Sequence, residues 1–138
     1  MIHTSDDVFV AAPPRAVQEA ILHLHEDASW WPGCRARGGY GWLEVDAPAG
    51  PSRERVRFKV RIEDAREWEG FRWVFESGPL EGAAEFWLEG YRNGTIVHYL
   101  TALTRPASTA AGDVTRHRWA MRAGLNALKD RFERVPSR

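Results

Sequence analysis

Two periods divide the chain. Across 35–105 apolar residues recur at every second position, and on either side of that stretch they recur every three to four. Alternation is cleanest over 53–63, where Val56, Phe58, Val60 and Ile62 interleave with Arg55, Arg57, Lys59 and Arg61. One face of such a strand meets a core and the other meets water, the mark of an antiparallel sheet. Further strands are predicted at 71–76, 83–91 and 95–104. The glycine-rich stretch 35–45 (Gly38, Gly39, Gly41) reads as a strand with a bulge or sharp bend. Residues 47–52 read as a loop and 107–112 as a small-residue linker. The last stretch, 113–134, carries Met121, Leu125, Leu128 and Phe132 on one helical stripe, and Val114 extends it by a heptad. Asp113 suits the N-cap, Lys129, Arg131 and Arg134 suit the C-terminal dipole, and Pro136 forbids continuation. A helix of about 20 residues is roughly 30 Å long and needs a broad apolar surface to lie on. Trp119 falls nearly opposite the stripe. At the front, 8–12 reads as a strand. A helix follows Pro13-Pro14 through about His25, with Val17, Ala20, Ile21 and Leu24 as its stripe. A second short helix is predicted at 26–32, ended by Pro32-Gly33.

The turns assign the faces. A two-residue loop at Asn93-Gly94 would set Leu88 opposite Tyr99, Phe86 opposite Thr101, Glu89 opposite His98 and Trp87 opposite Leu100. A turn around Gly78-Pro79 would set Trp73 opposite Ala84, Phe71 opposite Phe86 and Arg72 opposite Glu85. Directly paired residues share a face. One face then carries Phe71, Trp73, Phe75, Ala84, Phe86, Leu88, Val97, Tyr99 and Thr101. The other carries Arg72, Glu76, Glu85, Glu89 and His98, with Trp87 and Leu100 among them.

Composition narrows the function. The 138 residues suit one domain, 1–138, with one core. Lys plus Arg and Asp plus Glu both count 19, which leaves no electrostatic footprint for nucleic acid or an anionic membrane. A single cysteine, Cys34, excludes an intrachain disulfide and fits a reducing, cytoplasmic setting. No signal peptide or membrane span is expected. The outlying total is seven tryptophans, which either fill a core or line a site for apolar ligands.

Four stretches in this order resemble the START-like superfamily, also called SRPBCC or Bet v 1-like, and within it the polyketide cyclase/dehydrase branch. They are Val-Phe-Val-Ala-Ala-Pro-Pro-Arg-Ala-Val at 8–17, Trp30-Trp31-Pro32, Gly-Thr-Ile-Val-His-Tyr at 94–99, and Leu-Asn-Ala-Leu-Lys at 125–129. The resemblance implies an α+β helix-grip: a bent antiparallel sheet of six or seven strands around the long C-terminal helix, with two short helices after the first strand. It implies a cavity between sheet and helix for a lipid, polyketide, sterol or other apolar molecule, and it sets Trp30 and Trp31 at the entrance. Six strands are counted here where seven are common, so 35–45 is where one would split. Met121 stands where many relatives have a large aromatic.

The candidate ligand residues are Phe58, Trp73, Phe86, Tyr99 and Thr101 on the inner face, Met121 and Leu125 on the helix, and Trp31, Tyr40 and Trp42 beside them. They either line a cavity or fill it. The inner face offers no charge, so the expected ligand is an uncharged apolar or aromatic molecule. Tyr99 would polarise a carbonyl or bond locally; His98 is expected outside, against Glu89. No His-Glu-x-x-His, paired-cysteine, nucleophile-elbow or phosphate-loop motif occurs, so neither metal nor cofactor is expected. Cys34 reads as an inert thiol. The leading function is binding of a polyketide- or lipid-like molecule. Its rivals are a cyclase, dehydratase or aromatase, and a protein-interaction module. Trp87, Leu100, Tyr91 and Ile96 on the outer face suit a homodimer most simply.

Overall fold

The computed structural model describes residues 1–51, 53–104 and 112–133. The linker 107–111, Arg134 and Pro136 lie outside the described residues. The strands are β1 (Ile2–Val10), β2 (Arg35–Gly39), β3 (Trp42–Pro48), β4 (Arg55–Arg66), β5 (Gly70–Ser77), β6 (Glu81–Tyr91) and β7 (Gly94–Thr104). They form one seven-stranded sheet in the order β1-β7-β6-β5-β4-β3-β2. Every pairing is antiparallel. Strands β2 to β7 are thus a run of hairpins, and β1 adds itself beside the last of them. Helix α1 (Pro14–Leu22) follows β1, and α2 (Asp113–Glu133) follows β7. This is the expected α+β helix-grip.

The predicted inner face is the buried one: Phe71, Trp73, Phe75, Ala84, Phe86, Leu88, Val97, Tyr99 and Thr101 are all buried. The β5–β6 register is as predicted, with Phe71 opposite Phe86 and Trp73 opposite Ala84. The β6–β7 register differs by two residues. Tyr91 pairs with Gly94, the loop is Arg92-Asn93, and Phe86 lies opposite Tyr99. Arg92 takes the positive φ, 53°, that such a tight turn demands. A shift of two preserves the alternation, so every face assignment survives.

Four boundaries correct the sequence reading. Residues 35–45 are a hairpin with its turn at Tyr40-Gly41, where Gly41 adopts φ 77°. That glycine pattern marks a reversal between two strands, which raises the count to seven. Strand β1 starts at Ile2, not Val8, and runs along β7 to Val10. Its first half hid because Thr4 and Asp6 are polar yet face inward. Thr4 bonds the Thr101 hydroxyl, and Asp6 accepts from Arg118 (3.1 Å) and Arg122 (2.7 Å) on α2. Burial alone would raise the Asp6 pKa; the two guanidiniums hold it below the usual range. Helix α1 stops at Leu22, and 26–32 is a run of turns rather than a second helix. There Ser29 N–H donates to the Asp27 carboxylate (3.0 Å), a local bond that competes with helix, and Pro32 has no N–H to offer. Asp113 is the first helical residue, its carboxylate taken by Arg116, while Arg116 N–H bonds the Gly112 carbonyl.

Helix α2 presents its stripe to the sheet. Met121, Leu125 and Leu128 are buried, and Val114 and Phe132 pack partly buried at its two ends. Trp119 is 44% exposed on the far side. Among the described residues no helix is long and apolar enough to cross a membrane.

Candidate functional site

The grip is lined by a chain of rings. Phe58 on β4 lies 5.8 Å from Trp73 on β5, and Trp73 meets Phe86 on β6 edge-on at 4.8 Å. Phe86 lies 4.8 Å from Tyr99 on β7. Neighbouring strands present these rings because each occupies an inward position of its own strand. Met121 and Leu125 close over them from α2, Trp31 joins from the turn segment, and Thr101 sits at the β1 edge bonded to Thr4; all are buried. Tyr40 and Trp42 do not join them. Tyr40 is fully exposed at the tip of the β2–β3 hairpin. Trp42 faces outward, opposite in parity to buried Leu43 and Val45, with the Lys59 amine 5.1 Å from its ring. Once 35–45 is a hairpin, both fall on the wrong side of the turn to look inward.

Sequence reasoning missed His117. It occupies the one polar position on the α2 stripe, between Val114 and Met121, and that spacing was the signal. It is buried, with Phe58 at 5.2 Å and Phe75 at 5.3 Å. Its Nε2 shares a 2.8 Å hydrogen bond with the Tyr99 hydroxyl. Burial disfavours the imidazolium and pushes the His117 pKa down to about 4, so the ring is neutral at pH 7. Burial first, and then the Asp6 charge, push the Tyr99 phenol well above its ordinary value. The pair is a neutral donor–acceptor couple. His98 lies outside as expected, bonded to Glu89 at 3.0 Å, though its ring stacks on Trp87.

The rings fill the interior rather than leave it open. Among the described residues, voids of about 10 Å³ lie at two places under α2, each about the space of one water. One lies beside His117, among Val56, Phe58, Phe75 and Leu80. The other lies under α2, bounded by Trp30, Trp31, Trp73, Phe86, Met121 and Leu125 among others. Trp31 crosses α2 at Gly124, where an added Cβ would meet the indole at 2.7 Å. Trp30 stacks on Trp31 at 5.9 Å. Trp30 also forms one wall of an open surface cleft of about 320 Å³ beside Ser29, Ala127 and Arg131. One ring therefore stands between the inner void and the outside. The turn segment that carries it is tied to α2 by Arg131 and Asp27, 3.4 Å apart.

Other chemistry is thin. Among the described residues no three His, Cys, Asp or Glu side chains converge as a metal site. Burial raises the Cys34 thiol to about 11, so it is not a thiolate at neutral pH.

No family model and no curated protein matches the chain. Solved structures do. A START superfamily protein from Mycobacterium smegmatis superposes with a TM-score of 0.74 at 14% identity, over 97% of this chain and 99% of that one. Ara h 8.0201, a Bet v 1-type protein, gives 0.70 at 12% identity, over 97% and 99%. The Aha1 dimer from Colwellia psychrerythraea gives 0.68 at 17% identity, over 97% and 98%. At such identities the likeness is one of fold, and the fold of this chain is the START-like, Bet v 1-like helix-grip.

Proposed function

We propose that the chain binds a small, uncharged, ring-bearing molecule of polyketide- or lipid-like character between the sheet and α2, entering past Trp30. The observation that carries this reading is the position of that indole. It separates a surface cleft of about 320 Å³ from an interior void walled by apolar side chains. Small-molecule pockets usually measure about 300–1,000 Å³, so binding requires the Trp30–Trp31 pair to move and the cleft and void to merge. Solved relatives in fold include a START superfamily protein and a Bet v 1-type protein, and binding of apolar molecules is common in that fold. The test is a panel of neutral polycyclic, acidic and phosphorylated compounds, read by tryptophan fluorescence and melting temperature. Neutral polycyclic compounds should quench and stabilise, since a ligand preferring the folded state must raise the melting temperature. Trp73→Ala should abolish the quench and Trp87→Ala should not. Stabilisation by acidic or phosphorylated compounds alone would refute the reading.

The Tyr99–His117 couple favours a second reading, an enzyme of cyclase or dehydratase type that polarises a carbonyl at Tyr99. Its test is exchange of α-protons of a bound polycyclic ketone with solvent, lost in Tyr99→Phe. Outside the grip, Trp87 is 47% and Leu100 39% exposed on a charged sheet face. We assign them to a homodimer contact; unchanged sedimentation of Trp87→Glu would remove it.

A further inference from the structure

We infer that the sheet carries a second binding site, on the face turned away from α2, for a slender dianion whose two negative groups stand about 10 Å apart.

A trough of about 670 Å³ crosses β2, β3 and β4 on that face, a size within the range of small-molecule pockets. Its floor is the backbone of Ala36, Val45 and Phe58, whose side chains belong to the core side of the sheet. Its walls are two cross-strand rows. Arg35, Asp46 and Arg57 pair across the three strands on one side, and Arg37, Glu44 and Lys59 on the other. Each row reads cation, carboxylate, cation. Neighbouring strands lie about 4.8 Å apart, so the two cations of a row are about 10 Å apart at the backbone. The rows are two residues apart, about 7 Å. Ser77 and Gly78 bound the trough beyond β4. The β4–β5 ladder shifts register after Lys59, and such an irregularity bends the strand where the trough crosses it.

The carboxylates sit low and the guanidiniums stand out. The Asp46 side chain is 23% exposed and that of Glu44 38%, against 74% for Arg35 and 75% for Arg37 and Arg57. Glu44 holds one nitrogen of Arg37 at 2.8 and 2.9 Å. Asp46 meets Arg57 at 3.2 Å and Arg35 at 3.7 Å, and Arg55 neutralises it further at 2.6 Å. A guanidinium has five N–H donors, so these contacts steady the cations and leave most of their donors unused among the described residues. Lys59 rests over the Trp42 ring. The trough therefore has positive charge at both ends and negative charge in the middle.

That pattern selects a ligand. A neutral molecule leaves the cations unanswered. A single anion meets one end only. Two anions set close together would bring one of them over Glu44 and Asp46, where like charges repel. A molecule with one negative group between Arg35 and Arg37, the other between Arg57 and Lys59, and an uncharged middle answers both ends. A flat middle suits the backbone floor, where guanidinium planes can stack on a ring.

The probe is biphenyl-4,4′-dicarboxylate, a rigid dianion of that span. Its controls are biphenyl-4-carboxylate, which lacks one charge, and terephthalate, which keeps both charges on a single ring. All three are titrated into the full, 15N-labelled chain at low ionic strength, and binding is read from amide shifts. The long dianion should bind about fivefold more tightly than either control, a modest ratio because the charges are exposed. Its shifts should fall on β2, β3 and β4 around Ala36, Val45 and Phe58. Arg35→Gln and Arg57→Gln, at opposite ends, should each bring its affinity down to that of the biphenyl monoacid. Arg15→Gln, an exposed cation on α1, should leave it unchanged. Terephthalate binding as tightly as the long dianion would show attraction by charge alone and overturn the inference. Equal affinities for the mono- and dicarboxylate, or affinities indifferent to Arg35→Gln and Arg57→Gln, would overturn it too. Shifts centred on the Trp73 indole would place the probe in the grip and overturn it as well. Binding of neutral compounds in the grip is untouched by any of these results.

Discussion

The two ends of the grip treat buried polarity in opposite ways. At one end Tyr99 and His117 satisfy each other across 2.8 Å, with Phe58 and Phe75 packed around the imidazole. At the other, the Trp30, Trp31 and Trp73 indole N–H groups have no partner among the described residues. A satisfied pair locks its surroundings, because breaking it leaves two buried groups exposed to the full desolvation cost. Unsatisfied donors do the reverse, since motion there breaks no hydrogen bond. The paired end anchors α2 to the sheet, and the unpaired end is where the grip can yield.

Truncation at the yielding end should have the largest effect. Trp73 is wholly buried against Phe58, Phe86 and Tyr99, so Trp73→Ala should cost about 3–5 kcal/mol in denaturant melts, the range for large aromatic truncations. Trp73→Phe should cost clearly less, because it keeps a ring among Phe58, Phe86 and Tyr99. Equal losses for the two would show that the smaller ring recovers none of the packing.

The anchored end should show itself through pH. The unfolded chain protonates His117 near the ordinary value of 6.5, and the folded chain resists until about 4. Between those values the unfolded state binds more protons, so stability falls as pH falls through that window. Above 6.5 the contribution is complete. The expected loss is about 3 kcal/mol, at about 1.4 kcal/mol per unit. Asp6, held below its ordinary value of 3.8, acts mainly below this window. Chemical melts at pH 7 and pH 4.5 on wild type and His117→Gln check it; the drop should shrink in the variant. A wild type equally stable at both values would mean that His117 is solvated.

The third effect is smaller. Tyr99→Phe removes the hydroxyl and strands the His117 Nε2, which should cost about 1–3 kcal/mol. A Tyr99→Phe protein as stable as the wild type would show that the pair does not anchor α2 to the sheet.

The faces were legible because a sheet has period two, and even the two-residue slip at Arg92-Asn93 could not turn a side chain over. The α2 stripe was legible because Met121, Leu125 and Leu128 are all apolar. His117 was not, because a polar residue on that stripe reads as a gap until its partner on β7 is in place. The first half of β1 hid for the same reason, with Thr4 and Asp6 facing inward towards partners far along the chain. Tyr40 and Trp42 were misplaced because a glycine-rich bend and a glycine-rich hairpin look alike in sequence. Whether the rings line or fill the interior depends on rotamers of residues from separate strands, the turn segment and α2, and no spacing along the chain encodes that volume.

The smallest effect belongs to a residue outside both ends. Trp119 sits on α2 near His117 in sequence, yet points to the opposite side, 44% exposed, with its ring laid against Gly50 in the β3–β4 loop. Gly50 adopts φ 95°, and an added Cβ there would meet the ring at 2.7 Å, so the contact is close. A half-exposed ring on the far side of α2 loses little when cut back. Trp119→Ala should cost about 1 kcal/mol or less, at the upper edge of ordinary surface substitutions. Leu125→Ala, on the buried stripe, should cost about 2–5 kcal/mol. Both are read from denaturant midpoints at unchanged slope, which separates a stability change from a change in the unfolded state. If Trp119→Ala matches Leu125→Ala in the monomer, α2 is rotated from the orientation described, and His117 would then no longer face Tyr99.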